Sequence, residues 1–63
     1  METFKFIRLR DVIRLTSLSR ATIYEKMKKH DFPTQVKLGG KSVAWVEVEI
    51  QEWINSKIAL ARA

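Results

Sequence analysis

The groups able to do covalent chemistry in this 63-residue chain are few: one histidine, His30, beside Asp31; no cysteine; and three closely spaced glutamates, Glu47, Glu49 and Glu52. A hydrolytic relay needs a nucleophile and a third, orienting group around its histidine. None stands at useful spacing, so His30-Asp31 reads as a helix terminus. Without thiolates and with a single imidazole, a zinc site lacks its usual ligands. The glutamates fit a solvated helix start, where carboxylates oppose the helix dipole. Gly39 and Gly40 are adjacent and are the chain's two glycines, which excludes a glycine-rich phosphate loop. No enzyme, metal site, cofactor or small-molecule substrate is expected. Cations, by contrast, are abundant. Lys and Arg number 12 against seven acids, a net charge of +5, which on so small a body favours a polyanionic partner.

The charge is unevenly placed. Residues 1–46 hold ten Lys/Arg against four acids, whereas residues 47–63 hold two against three. A basic body with a near-neutral last segment suggests one face for the polyanion and a final element packed behind it. The start, Met1 to Arg8, breaks every short apolar stretch with a charge and does not resemble a signal peptide. The longest apolar run, Val43-Ala44-Trp45-Val46, is far short of a membrane span. A cytoplasmic location is the expectation.

The elements that would carry the cations follow from periodicity. Phe4 and Phe6 alternate with Thr3, Lys5 and Ile7 in a short extended lead-in. From Leu9, apolar residues recur at three- and four-residue spacing (Leu9, Val12, Ile13, Leu15 or Thr16), which predicts a short helix with Asp11 in its first turn. Thr16-Ser17-Leu18-Ser19 reads as a tight turn and a new start, with Ser19 as N-cap to the Ala21 or Thr22 amide. Leu18 and Ile23 match a hydrophobic staple. The second helix should run from about Arg20 to Lys29, bury Ile23 and Met27, and stop near His30, because Phe32-Pro33 cannot continue it. After Pro33 the period becomes two on either side of Gly39-Gly40, the pattern of a β-hairpin. With those glycines as a two-residue turn, Val36 faces Val43 and Thr34 faces Trp45. Val36, Leu38, Val43 and Trp45 then share the buried face, and Lys37 and Ser42 the other. From Glu47 helical spacing returns through Ile50, Trp53, Ile54, Ile58 and Ala61. Both tryptophans fit the buried period of their element and read as core. The expected fold is mostly α with a small β-hairpin: a winged helix-turn-helix forming one domain over residues 1–63.

In such a fold the second helix turns Ala21, Thr22, Glu25, Lys28 and Lys29 outward, with Arg20 at its exposed start. A single helix fits the major groove, and its N-terminal residues reach base edges. Arg20 can donate two bonds to a guanine, and Thr22 can hydrogen-bond. Ala21 or the Thr22 methyl can touch a thymine methyl. Tyr24 on the flank, with Lys26, Lys28 and Lys29, suits phosphates. At the hairpin tip, Gly39, Gly40, Lys41 and Ser42 offer amides, a cation and a hydroxyl to a phosphate or a minor groove, with Lys37 close by.

Leu9-Arg10-Asp11-Val12, Leu18-Ser19-Arg20-Ala21-Thr22-Ile23-Tyr24, Phe32-Pro33, Val36 through Trp45, and Glu49-Ile50 with Trp53-Ile54 together resemble the AlpA family. Its members are small prophage and genomic-island regulators, related in fold to excisionases and to the DNA-binding domains of MerR-type regulators. The resemblance spans about residues 8–60. It implies binding to double-stranded DNA at an integrase promoter or attachment site, as transcriptional activator or as excisionase-type recombination directionality factor. The family's helix positions fall on Ser19, Arg20, Thr22 and Tyr24, and its wing positions on Gly39, Gly40, Lys41 and Ser42.

Three positions depart from the family pattern. Glu25 stands where a basic residue is usual, and either reads a cytosine amino group or repels phosphate. Lys41 replaces an arginine and gives up its planar fork. His30 occupies a helix-ending position that is often glycine, so either it adopts positive φ or the helix ends differently. The expected partners are DNA, other copies of the chain on adjacent sites, and an integrase. The alternative is a protein-interaction module, anti-repressor-like, that turns the same basic face to an acidic protein.

Overall fold

The computed structural model describes residues 4–63, running β1 (Phe6–Ile7), α1 (Leu9–Thr16), α2 (Arg20–Lys28), β2 (Val36–Gly39), β3 (Ser42–Val46) and α3 (Glu47–Ala61). Met1 to Thr3, part of the predicted lead-in, lie outside the described residues. The architecture is mostly helical with a small antiparallel sheet, as the periodicity predicts.

The helix-turn-helix is built by local hydrogen bonds. Ser17 takes a left-handed conformation (φ 62°) and its amide donates to the Ile13 carbonyl at 2.8 Å, closing α1. The Thr16 hydroxyl donates back to the Val12 carbonyl at 2.7 Å and accepts from the Leu18 amide at 3.2 Å, which turns the chain. Ser19 then caps α2, accepting from the Thr22 amide at 3.2 Å. A serine cap of this kind is worth about 1 kcal/mol to its helix. At the other end the His30 amide donates to the Met27 carbonyl and the Asp31 amide to the Lys26 carbonyl. That pairing is a Schellman motif with His30 in its left-handed position (φ 58°), the first of the two expected outcomes.

The sheet differs from the expected hairpin in two ways. Its strand order is β1-β3-β2, so it has three strands rather than two. The lead-in segment pairs with β3, Ile7 opposite Trp45 and Phe6 opposite Val46. Ile7 is thereby buried, while Phe6 on the other face is 53% exposed. The second difference is register. Gly39 pairs with Ser42, leaving Gly40-Lys41 as the turn, and a bulge lies between Lys37 and Gly39. Val36 consequently faces Ala44 and Lys37 faces Val43, not the predicted Val36 to Val43 with Thr34 to Trp45. A one-residue slip exchanges the faces of a strand. It takes Val36 off the Trp45 face, puts Lys37 on the Val43 side, and leaves Leu38 exposed at the bulge. The predicted shared face of Val36, Leu38, Val43 and Trp45 is therefore corrected.

The core gathers one side chain from every element but β2 (Ile7, Val12, Ile23, Trp45 and Ile50) and Phe32 from the loop after α2, with Leu9, Ile13, Leu18, Met27, Trp53 and Ile54 packed around them. Phe32 meets the Trp53 ring edge-on at 4.8 Å, and the Trp53 indole donates to the Asp31 carbonyl at 2.8 Å. These contacts hold the loop after α2 against α3. The buried stripe of α3 ends sooner than its spacing suggests. Ile58 and Ala61 are exposed and Leu60 is 71% exposed, because the last turns overhang the core.

Candidate functional site

Helix α2 starts from an exposed Arg20 and turns Ala21, Glu25 and Lys28 to solvent, one face at three- and four-residue spacing. Its opposite side is pinned by Ile23, fully buried, and Met27. The predicted outward set is therefore placed as expected, except that Thr22 is half-buried beside the cap. The Ser19 hydroxyl donates to Thr22 Oγ1 at 2.9 Å while accepting from the Thr22 amide, so Ser19 is engaged in ending the turn. Glu25 pairs with Lys29 one helical turn on, at 3.1 Å. That exposed pair answers the charge of an acid on a basic face.

Lys26 points elsewhere. Its ammonium lies 3.4 Å from Asp31, whose other carboxylate oxygen takes Lys57 of α3 at 3.2 Å. Asp31 thus bridges the end of α2 to α3. The hydrogen bond and charge of Lys57, with a smaller share from Lys26, hold its carboxyl below the usual aspartate value of 3.8. A depressed folded value contributes stability that is present above pH 3.8 and is lost as pH falls through the folded value. Denaturant titrations at pH 7 and pH 3 should show Asp31→Asn less acid-sensitive than the parent chain. Equal acid sensitivity would remove Asp31 as the linked group.

The hairpin brings a second basic edge. Lys37, Gly39, Gly40, Lys41 and Ser42 are all exposed, and both glycines hold positive φ (144° and 53°) with open space where a side chain would stand. Lys28, Lys37 and Lys41 make no ion pair among the described residues. Tyr24 reaches from α2 to the hairpin. It is half-buried, its hydroxyl donating to Gln35 Oε1 at 3.4 Å and its ring standing at 74° to Trp45. Sequence reasoning missed two residues that hold this region: Gln35, and Arg8, whose guanidinium donates to the Val43 carbonyl at 3.0 Å. Both contacts span turns of the chain that leave no local periodicity to read.

A broad groove lies elsewhere, between residues 30–36 and α3, where Asp31, Glu49 and Glu52 stand beside Trp53, His30 and a single lysine, Lys57. Its carboxylates make it a poor receptor for phosphate. Among the described residues no cluster of three His, Cys, Asp or Glu side chains is placed to hold a metal, and no helix is long and apolar enough to cross a membrane.

A helix-turn-helix with an exposed second helix, followed by a strand pair whose tip carries glycines and a lysine, defines the winged helix-turn-helix class of protein. The comparisons with known proteins narrow the class. The family model described as "Prophage CP4-57 regulatory protein (AlpA)" matches residues 5–58, and the chain belongs to that family of regulators rather than to any class of enzymes. It is 49% identical over 55 residues to "Uncharacterized protein ORF88" of Enterobacteria phage P4, covering 87% of this chain and 62% of that relative. The chain thus spans less than two thirds of the phage protein's length. It is 42% identical over 62 residues to "DNA-binding transcriptional activator AlpA" of Escherichia coli (strain K12), covering 89% of each. No solved structure matches significantly.

Proposed function

We propose that this chain is a sequence-specific DNA-binding regulator of a prophage or integrative element, acting at an integrase promoter or attachment site as activator, as excisionase-type directionality factor, or as both. The observation that carries the reading is the exposed cationic set on α2 and the wing: Arg20, Lys28, Lys37 and Lys41, none of them in an ion pair among the described residues. The name of the Escherichia coli relative supports it. An α-helix is about 10–12 Å across and B-DNA's major groove about 12 Å wide, so α2 fits there.

In this reading Arg20, Ala21 and Thr22 meet base edges and Glu25 lies along the same face. Lys28, Lys37 and Lys41 neutralise phosphates, and the Gly39–Ser42 tip approaches the backbone or minor groove. Lys26, held by Asp31, contributes less than Lys28, Lys37 and Lys41. The longest molecular dimension, 41 Å, is little more than one turn of duplex, roughly 34–36 Å, so tight binding calls for several copies on adjacent sites. An integrase would be the functional partner, and the nucleoid the place of action.

Two assays divide the roles. A reporter fused to the integrase promoter measures activation; excision scored with integrase supplied from an independent promoter measures directionality. Response in the first alone defines an activator, and response in the second alone a directionality factor. Response in neither, with the protein present, contradicts the proposal. Lys28→Ala and Lys41→Ala should each weaken binding about equally on all sequences and reduce the salt slope by about 1. An unchanged slope in either variant would take that lysine off the phosphates.

A further inference from the structure

We propose that Tyr24 is the positioning residue for Arg20, and that through it the hairpin sets the direction in which α2 presents its arginine. This inference rests on the DNA-binding reading above. The Arg20 guanidinium carbon lies 5.8 Å from the centre of the Tyr24 ring, within the ~6 Å reach of a cation–π contact. Four-residue spacing on one helix makes the two neighbours without distortion. The ring itself is held from the far side. Its hydroxyl donates to Gln35, the residue immediately before β2, and its ring stands nearly perpendicular to Trp45 of β3, the ring centres 6.4 Å apart. Trp45 is fully buried and pairs across the sheet with Ile7, so it is a fixed wall. A chain of contacts therefore runs from the residue that leads into β2 and from β3, through Tyr24, to the arginine at the start of the exposed helix.

The chemistry gives this chain a use. An arginine reading a base must present its planar fork in one direction, and it loses less freedom on binding when the fork is already held. An aromatic face restrains the plane without using any guanidinium N–H, so all donors stay available. Tyr24 is poorly placed to be a phosphate ligand in its own right, because its hydroxyl is spent on Gln35 and its ring on Arg20 and Trp45.

The test has one arm without DNA. In the free protein, nitrogen relaxation of the Arg20 Nε should show a restrained side chain, in Tyr24→Phe a similar one, and in Tyr24→Leu a loose one. In the second arm, binding is measured to native and shuffled duplex. Tyr24→Leu should lower the native-to-shuffled ratio about tenfold with the salt slope unchanged, and Tyr24→Phe should hold it within about threefold. In an Arg20→Ala background Tyr24→Leu should lower the ratio no further, a coupling that a purely structural role would not produce. Should Tyr24→Leu fail to fold by circular dichroism, Tyr24→Met, which refills the site without a ring, takes its place. Unchanged Arg20 relaxation in the ring-less variant, additive losses in the double variant, or equal weakening of both duplexes by Tyr24→Phe would each overturn the assignment. A parent chain that does not distinguish the duplexes would overturn the DNA-binding reading instead, while the relaxation arm still decides whether Tyr24 holds Arg20.

Discussion

Trp45→Ala is expected to leave the chain largely unfolded at 25 °C, with no cooperative thermal transition by circular dichroism. Trp45 is fully buried in the central strand, opposite Ile7 and against the edge of Tyr24, so its removal opens the core at the point where sheet and helices meet. Deleting a buried aromatic of this size costs about 3–5 kcal/mol. A core in a chain this short seldom nets more than about 3–5 kcal/mol, so the substitution consumes the whole margin. Trp45→Phe supplies the contrast. It keeps most of the apolar volume and removes an indole N–H that has no hydrogen-bond partner among the described residues, a buried donor that costs about 1–3 kcal/mol. That variant should melt cooperatively. A parent-like melt for Trp45→Ala would show that β3 is not the centre of the core.

Arg20→Ala should weaken binding to the native duplex by about 1–3 kcal/mol, roughly five- to 150-fold, while binding to shuffled duplex falls much less. The asymmetry follows from its place. Arg20 stands at the exposed N-terminus of α2, where a helix lying in the major groove brings its residues to base edges. Loss of one phosphate contact would instead lower both affinities together and reduce the salt slope by about 1. Parallel binding isotherms on the two duplexes separate these outcomes. Equal losses on both would reassign Arg20 to the backbone.

Local signals made most of the helical half legible. The Ser19 cap, the change of period at Leu9 and the stop before Phe32-Pro33 are each written within a few residues, and α1 and α2 fall where they point. The left-handed His30 was readable because a Schellman ending needs that conformation whatever residue supplies it. The sheet was only half legible. Two glycines in a row accommodate either of two turns one residue apart, and alternation alone does not choose between them. The choice is made by pairing of β3 with β1, some 38 residues earlier in the chain, which buries Ile7 and commits Trp45 inward. Helix α3 shows the opposite error: its apolar spacing continues past Lys57, but the body it would cover has ended. For the candidate site, charge and helix phase placed Arg20, Ala21, Glu25 and Lys28 at the surface. They gave no hint that Lys26 turns to Asp31, or that Tyr24 is held by Gln35, because those partners are tertiary.

Fluorescence anisotropy with duplex from the gene's own genomic neighbourhood, set against shuffled duplex of equal length over several salt concentrations, tests the central claim most directly. The account predicts tighter binding to the native duplex. It also predicts a log–log salt slope of about −3 to −7, the value for roughly three to eight neutralised phosphates. Equal and weak binding to both duplexes would contradict it, and would leave a basic surface better suited to an acidic protein partner.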